Sequence, residues 1–483
     1  MIPGQLLYPL LPPHWTPSII PSMSRKLFSL LLGAYLLAGC GSYQPPKVPF
    51  VKPISEDEEV KISREFRREA KKKLKLVQHP EVERYVNQVG QRLLSVMGPQ
   101  PFDYRFFVVE DSQLNAFAVP GGSIYVHTGI LERINSTDEL AGVLGHEIIH
   151  VKGHHIARIS GPDVTSLLAL LGVFLGGSGQ AQAAVALGQA LALTRQLSYN
   201  RQLEQEADTL GVKYMAEAGY DPKAALAFLK IIDQERVLNP IDVPPYLMTH
   251  PLTQERLTGV EGVIRSLDLK RAKLDLPDPI KKIQTLLRLE RQESDAVIAE
   301  YEKLLSQNPE NAQAMHLLGI AYYYKGRWSK AQEYYERTKA LNPKSTGIER
   351  DLGRLYTQIG EFSRAHLAFE RSLIAEPNEA LNYLFLGELF EKESNFSEAV
   401  GAYLRAHNLS SMWALPAYRL GVVYGKMNRL GDAYYYLGRS HILSDEDEMA
   451  IADLERALKI VGPTSPRGQV IREELDMIKA RRR

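Results

Sequence analysis

Cysteine is almost absent from this chain, which has one, Cys40, among its 483 residues. A lone cysteine excludes an internal disulfide bond and any zinc site built from several thiolates. An excess of either charge is absent too, because 58 basic residues are matched by 57 acidic ones. Without a dense basic patch we expect no nucleic-acid partner, and any metal ion must be held by histidine and carboxylate side chains.

Apolar runs long enough to span a membrane are missing beyond the first forty residues, since a transmembrane helix needs about 20 apolar residues. The stretch 164–193 is rich in leucine, alanine and glycine, but Gly172 and Gly176-Gly177 interrupt its apolar part. We predict a buried helical hairpin there. The alternative is a hairpin that closes over a cleft or touches lipid or an unfolded client.

The cysteine ends a segment typical of a bacterial lipoprotein leader. From Met23, two basic residues and an apolar stretch lead to the sequence Leu-Ala-Gly-Cys40. This pattern predicts a signal peptide over residues 1–39 with Met23 as the true start, a lipid anchor on Cys40 and a proline-rich tether over residues 40–54. Gly41 resembles the signal for the outer membrane, so we expect a periplasmic protein attached to that membrane. An ordinary signal sequence with an incidental cysteine is the alternative.

The pattern His146-Glu147-x-x-His150 predicts a metal site on a helix. Two histidines four residues apart project from one helix face, about 5–6 Å apart, and can bind one metal ion. Glu147 is placed to act as the base toward a water bound to that ion. The alternative is a buried helix whose histidines merely find hydrogen-bond partners.

The helix that carries this pattern has marked ends. Ser136 followed three residues later by Glu139 is a capping box ahead of an apolar run, so we predict that the helix begins there. Gly161-Pro162 cannot continue a helix, and we predict that the helix ends before it.

A second helix, predicted over residues 199–219, carries Glu204 and Asp208 on one face. Zinc in catalytic sites usually has three protein ligands and one open position, so Glu204 would complete a site of two histidines and one glutamate. Asp208 would then orient a ligand histidine through its other ring nitrogen. The alternative is a solvated acidic helix face.

Two stretches rich in β-branched and aromatic residues, Tyr104–Val109 and Ile124–His127, flank the segment Asn115-Ala-Phe-Ala-Val-Pro-Gly-Gly. They predict a small sheet ahead of the metal-binding helix. An edge strand of such a sheet can hold a substrate as an added strand. A structural hairpin is the alternative.

Together these motifs resemble the gluzincin family of CAAX prenyl proteases and HtpX-like peptidases over residues 55–265. The resemblance rests on His146-Glu147-x-x-His150, Glu204-x-x-x-Asp208 and the segment that starts at Asn115. It implies that the two histidines and Glu204 bind one zinc ion and that Glu147 is the catalytic base. Prenylated substrates are not expected, because the chain lacks the transmembrane helices of the membrane-embedded relatives.

A repeat with a period of 34 residues follows a linker at 266–280. Leucine-glycine pairs recur in register at Leu318-Gly319, Leu352-Gly353, Leu386-Gly387 and Leu420-Gly421. The period is that of tetratricopeptide repeats, which are pairs of helices, so residues 281–483 are predicted to form an all-α solenoid with Asp445–Val461 as a capping helix. The concave surface of such a solenoid is a usual site for peptide or protein partners.

We therefore expect an α+β fold, a mostly helical zincin-type metalloprotease domain with a small β-sheet, followed by an all-α tetratricopeptide-repeat solenoid. The domain order resembles periplasmic family members that support assembly of outer-membrane β-barrel proteins. That likeness implies a zinc endopeptidase that acts on unfolded or misassembled proteins and contacts the β-barrel assembly machinery through its repeats. The alternative is a non-catalytic chaperone or adaptor with structural zinc, and the intact Glu147 argues against it.

His250 lies between Pro244-Pro245 and Pro251, on the chain that leaves the second helix, ahead of a predicted N-cap at Thr253. Two roles would place its ring near the metal. It could occupy the open zinc position at rest as a plug, or donate a hydrogen bond to the transition-state oxyanion. A histidine that only caps a turn is the alternative, and we hypothesise the plug.

Overall fold

The computed structural model describes residues 54–159, 201–238, 243–267, 278–343, 345 and 347–481. The predicted leader, Cys40 and the apolar stretch 164–193 lie outside the described residues, as do most of the predicted tether and linker. Within the described ranges, every helix falls short of the combination of length and apolar character that crossing a membrane requires.

The first part of the described chain consists of helices around a small sheet. Its elements are α1 (Glu56–Lys73), α2 (Pro80–Ser95), β1 (Arg105–Val109), β2 (Ala116–Val119), β3 (Ser123–His127), α3 (Thr128–Arg133), α4 (Thr137–Lys152), α5 (His155–Ile159), α6 (Arg201–Glu217), α7 (Lys223–Leu238), α8 (Pro245–Thr249) and α9 (Gln254–Ser266). Ser55 caps α1, and α2 has Pro80 as its first residue with His79 as its N-cap. The predicted α+β fold class is confirmed.

The sheet has the strand order β1-β3-β2, with β1 parallel and β2 antiparallel to β3. Alternation along β3 gives the sheet two apolar faces. Ile124 and Val126 pack into the core shared with α2 and α4, whereas Tyr125 points the other way and contacts Phe66 of α1. The prediction of two flanking strands missed β2, which lies inside the segment that begins at Asn115.

Helix α4 begins as predicted, because the Ser136 side chain accepts a hydrogen bond from the backbone N–H of Glu139. The capping box is incomplete, since the Glu139 carboxylate accepts from the N–H of Asn135 rather than from that of Ser136. The helix ends before Gly161-Pro162, as predicted, but well ahead of that pair. The helix ends at Lys152, and α5 starts after two connecting residues.

The second part of the described chain is all helical and confirms the repeats. Its helices are α10 (Ile280–Glu290), α11 (Ser294–Gln307), α12 (Ala312–Tyr324), α13 (Trp328–Leu341), α14 (Ile348–Ile359), α15 (Phe362–Ala375), α16 (Ala380–Lys392), α17 (Phe396–Leu409), α18 (Ala414–Lys426), α19 (Leu430–Leu443), α20 (Asp447–Val461) and α21 (Pro466–Arg481). The predicted capping helix corresponds to α20. The prediction missed α21, whose Ile471 and Leu475 pack with Leu454 of α20 and cover it.

The periodic glycines allow the two helices of a repeat to approach closely. A Cβ atom at Gly353 would lie 2.9 Å from the ring of Phe369, and one at Gly319 would lie 2.6 Å from the ring of Tyr335. Both rings belong to the second helix of the same repeat and are fully buried. The 34-residue period therefore reflects a packing constraint. Any larger side chain at these glycine positions would collide with a buried aromatic ring of the paired helix.

The first helices of the repeats contact α2 through buried ion pairs. Glu81 at the start of α2 lies 2.7 Å from the Lys282 ammonium group and 2.8 Å from the Arg354 guanidinium group. Asp351 shares Lys282 at 2.8 Å and also contacts His316. The repeat surface on which we expected partners is thus partly used to hold the chain's own first domain.

A second set of contacts lies at the far end of the repeats. Arg67 of α1 donates two hydrogen bonds to the Asp445 carboxylate, at 2.6 and 2.7 Å, and both side chains are buried. Between the two sets, Arg84 of α2 pairs with Glu379 at 3.2 Å. The repeats are therefore fixed to α1 and α2 along much of their length.

Glu83 of α2 makes this interface sensitive to pH. Burial raises the pKa of Glu83 to about 7, and the indole N–H of Trp413, which donates to it at 3.3 Å, offsets only part of that rise. Because the pKa is higher in the folded chain, protonation of Glu83 stabilises the fold. That contribution is complete below the unfolded pKa of 4.5 and is lost as the pH rises through 7.

We expect Glu83→Gln, which stays neutral, to raise the free energy of unfolding at pH 8 by about 1–3 kcal/mol and to have a smaller effect at pH 5. Urea unfolding at both pH values measures this difference. Glu398→Gln, an exposed carboxylate of α17, is the control and should show no such dependence. An equal effect of Glu83→Gln at both pH values would contradict the prediction.

Candidate metal centre

Four buried side chains converge at one point in the first domain. They are His146 and His150 of α4, Glu204 of α6 and His250, and one ligand atom from each lies within 4.8 Å of the others. The Nε2 atoms of the two α4 histidines are 3.0 Å apart, and Nδ1 of His250 lies 3.2 Å from Nε2 of His146. Glu204 reaches His150 at 3.3 Å and His250 at 3.1 Å. The structure thus brings together the three predicted ligands and His250.

Two glycines let the helices that carry these ligands approach closely. A Cβ atom on Gly211 of α6 would lie 3.2 Å from the backbone of Gly145 and His146 of α4. At this distance the two helix backbones are in contact, so a glutamate one or two turns away can reach histidines on the opposite helix. The sequence analysis did not use this glycine pair, although small residues are a general sign of close helix packing.

The donor set fits zinc. Imidazole nitrogens and a carboxylate oxygen are its usual ligands in proteins, and four of them suit its tetrahedral preference. The other ring nitrogen of each α4 histidine is also engaged. Nδ1 of His146 lies 3.0 Å from the Asp208 carboxylate, where the predicted orienting role requires it, and Nδ1 of His150 lies 3.1 Å from Nδ1 of His155. Both Nε2 atoms therefore face the centre.

Glu147 lies beside this cluster and is almost completely buried. It accepts a hydrogen bond from the backbone N–H of Ala118 in β2, and its Oε1 lies 3.5 Å from Nε2 of His250. Among the described residues, that Oε1 atom has no hydrogen-bond partner. Burial raises the pKa of Glu147 to about 7.

Arg256 is a residue of this site that the sequence analysis did not identify. It is buried and donates two hydrogen bonds to the Asp208 carboxylate, at 2.7 and 2.8 Å. It also lies 3.1 Å from Oε2 of Glu204 and donates to the backbone carbonyl of His250. One guanidinium group thus joins Glu204 and Asp208 of α6 to the segment that carries His250.

These charges shift the acid–base properties of the centre. Burial alone would raise the pKa of Asp208, but Arg256 and His146 lower it to about 2. Burial would likewise raise the pKa of Glu204, yet His250 and His150 hold it well below its usual value. Burial opposes protonation of His146, but Asp208 and Glu204 raise its pKa to about 9. Glu204 and Asp208 are therefore both held in the ionised form.

The sequence analysis did not predict the short helix that precedes His250. His250 follows the short helix α8, where its N–H donates to the carbonyl of Tyr246 at 2.8 Å and its ring packs on the Tyr246 ring. The predicted N-cap at Thr253 is confirmed, since its side chain accepts from the N–H of Arg256. The imidazole faces the ligand cluster, so this histidine does more than cap a turn.

Replacing Arg256 with Met removes the cation that faces two buried carboxylates while it keeps an apolar stem of similar length. We expect the free energy of unfolding to fall by about 3–5 kcal/mol, because a buried charge left without its partner is costly. Urea unfolding in the presence of a chelator measures the effect without metal. Arg265→Met, on the exposed face of the same helix, is the matched control and should change stability little. Equal stability of the two variants would contradict this account.

Comparisons with known proteins agree with the geometry. Residues 80–264 match the family model of Peptidase family M48, and residues 312–345 and 350–410 match tetratricopeptide-repeat models. The β-barrel assembly-enhancing protease of Escherichia coli strain K12 is 33% identical over 218 residues, which are 43% of this chain and 44% of that protein. The mitochondrial metalloendopeptidase OMA1 of Schizosaccharomyces pombe is 29% identical over 273 residues, 53% of this chain and 78% of that protein.

The extent of these matches is limited. The chain spans about half the length of the bacterial relatives that it matches. A crystal structure of MamA aligns with a TM-score of 0.30 and 22% identity, covering 34% of this chain and 94% of that one, a likeness too weak to carry an argument. The predicted resemblance is nevertheless confirmed. Residues 80–264 form a peptidase family M48 domain, and tetratricopeptide repeats follow it in the chain.

Proposed function

We propose that this protein is a zinc-dependent endopeptidase. His146, His150 and Glu204 hold one zinc ion, Glu147 is the catalytic base and Asp208 orients His146. The observation that carries the proposal is a buried cluster of zinc-type ligands directly beside a buried glutamate with a free oxygen among the described residues. A purely structural zinc site has no need of such a base, so the adaptor alternative has less support.

Each residue of the proposed site has a separate role in peptide hydrolysis. Zinc bound by this cluster would polarise the scissile carbonyl and acidify a water molecule. Glu147 takes a proton from the attacking water and passes it to the leaving amine, and no covalent intermediate forms. The hydrogen bond from the backbone N–H of Ala118 keeps the Glu147 carboxylate directed toward the cluster. Asp208 holds the ring of His146 in the tautomer that leaves Nε2 free for the metal.

Strand β2 is the proposed place for the substrate backbone. It is an edge strand of the sheet, and its residue Ala118 contacts the proposed base. An edge strand presents unpaired backbone groups to which an extended peptide adds as a further strand. In a substrate bound in this way, the backbone is held beside the catalytic glutamate and the side chains contribute little to recognition. Such binding suits unfolded proteins.

The cellular role is proposed from the relatives and from the leader sequence. The Escherichia coli relative is named as a protease that enhances β-barrel assembly. We propose that this chain acts in quality control or assembly of outer-membrane proteins, on unfolded or misassembled substrates, and contacts the β-barrel assembly machinery through its repeats. The proposed location is the periplasm, with a lipid anchor on Cys40 in the outer membrane.

The anchor has a direct test. Cys40→Ser removes the sulfur that would carry the lipid, so we expect the protein to be released by cell fractionation without detergent. Gly41→Ser, which keeps that sulfur, is the control and should leave the protein in the membrane fraction. Membrane association of Cys40→Ser would place the anchor elsewhere in the chain.

Glu147→Gln tests the proposed activity. We expect the variant to fold and to retain zinc, because Glu147 is not a ligand, and to lose peptide hydrolysis by several orders of magnitude, because the base acts in the transition state. Hydrolysis of an unfolded protein and metal content measure the two properties. Glu217→Gln, exposed at the end of α6, is the control and should remain active. Comparable turnover by Glu147→Gln would remove the protease proposal.

His250 is proposed as the plug of this site. Its Nδ1 lies 3.1 Å from Glu204 and 3.2 Å from His146, so the ring is within reach of the position that substrate and water need. The carbonyl of His250 is held by Arg256, which ties the plug to α6. Opening of the metal site would then require a client protein to move the segment that begins at α8.

His250→Ala separates the plug from the oxyanion role. As a plug, its removal should speed cleavage of a small peptide. As an oxyanion partner, its removal should lower transition-state stabilisation by roughly 2.7–4 kcal/mol. Initial rates on a short peptide, at matched zinc content, distinguish the two, and an unchanged rate would contradict both.

A further inference from the structure

His155 lies buried directly behind His150. The Nδ1 atoms of the two rings are 3.1 Å apart, and the rings meet nearly at a right angle, 87°, with centroids 4.9 Å apart. The His155 side chain is 1% exposed. This histidine lies outside the motifs that the sequence analysis used, so its position needs an explanation of its own.

The turn between α4 and α5 places the ring there. His154 adopts a left-handed backbone conformation, with φ of 52°, which is uncommon for a residue other than glycine. The turn brings His155 back beneath the last part of α4. A Cβ atom on Gly153 would overlap Nε2 of His155, so the glycine leaves room for the imidazole. Both features direct the ring toward His150.

The positions of the nitrogen atoms determine the position of one proton. Only one of two facing Nδ1 atoms can donate in a hydrogen bond between neutral rings. Nε2 of His150 faces the ligand cluster, 3.0 Å from His146 and 3.3 Å from Glu204. A ring nitrogen that binds a metal uses its lone pair, so the proton of neutral His150 must be on Nδ1. His155 is therefore the acceptor.

The surroundings of the other ring nitrogen of His155, Nε2, are consistent with this assignment. If Nδ1 of His155 accepts, its own proton is on Nε2, which lies 3.5 Å from Oε2 of Glu206. This contact is not a hydrogen bond, but the negative charge of the Glu206 carboxylate favours a proton on the nearby Nε2. Glu206 lies on α6 between Glu204 and Asp208. Helix α6 thus contacts the ring of His146 through Asp208 and places Glu206 near the ring of His155.

We propose that His155 is a positioning residue that fixes the tautomer and ring orientation of His150 for zinc by accepting a hydrogen bond from Nδ1 of His150. This inference rests on the proposed zinc site. Outer partners of ligand histidines typically contribute about 10–100-fold to metal affinity. The effect should therefore appear in zinc binding itself, independently of turnover.

Two substitutions at position 155 separate hydrogen bonding from packing. His155→Asn places a carboxamide oxygen near the position of Nδ1 and keeps an acceptor for His150. His155→Leu fills the space without an acceptor. Zinc dissociation constants of the full chain, measured by competition with a chromogenic chelator, should be about 10–100-fold weaker for His155→Leu and close to the parent value for His155→Asn.

The possible results are distinguishable. Parent-like affinity of His155→Leu, or equal weakening of both variants, would overturn the positioning role. A parent chain that binds no zinc would overturn the proposed function before this inference is reached. If His155→Leu does not fold, nitrogen-15 spectra of the zinc-loaded parent decide the question, because a proton on Nε2 of His155 with none on its Nδ1 supports the proposal, and a proton on Nδ1 of His155 overturns it.

Discussion

The close approach of α4 and α6 at Gly145 and Gly211 is the constraint on which the proposed site depends. Spacing along one helix can present two histidines, but a third ligand must come from another part of the chain. Backbone contact between the helices brings Glu204 within 3.4 Å of both histidines. A methyl group at Gly211 would force the facing backbone to shift by a few tenths of an ångström, which is comparable to the tolerance of a metal–ligand distance.

The buried carboxylates of the proposed site require compensating positive charges from the rest of the domain. Glu204 and Asp208 are buried side by side on α6, and two carboxylates in such a place are stable only with cations nearby. Arg256 supplies a permanent positive charge and also donates to the carbonyl of His250. Charge balance and the position of the His250 segment are thus set by one side chain.

Sequence patterns predicted what depends on neighbours in the chain. The spacing of His146 and His150, the N-cap at Ser136 and the 34-residue period are local features, and each follows from helix geometry. Contacts between distant residues were not accessible in this way. Arg256 meets Asp208 across 48 residues, and Arg67 meets Asp445 across 378. The early end of α4 depends on a left-handed residue at His154, for which histidine gives no strong signal.

The repeats are coupled physically to the metal-binding helix as well as to α1 and α2. Asp278, at the end of the predicted linker, accepts hydrogen bonds from the backbone N–H and the hydroxyl of Thr137, at 3.0 and 2.7 Å. Thr137 is the first residue of α4, where a carboxylate is favoured by the unpaired N–H groups and the helix dipole. Two residues later in the chain, Ile280 begins α10, whose Gln284 donates to the carbonyl of Ile134 just before α4. Any movement of α10 must therefore break these hydrogen bonds or displace the start of the helix that carries His146, Glu147 and His150.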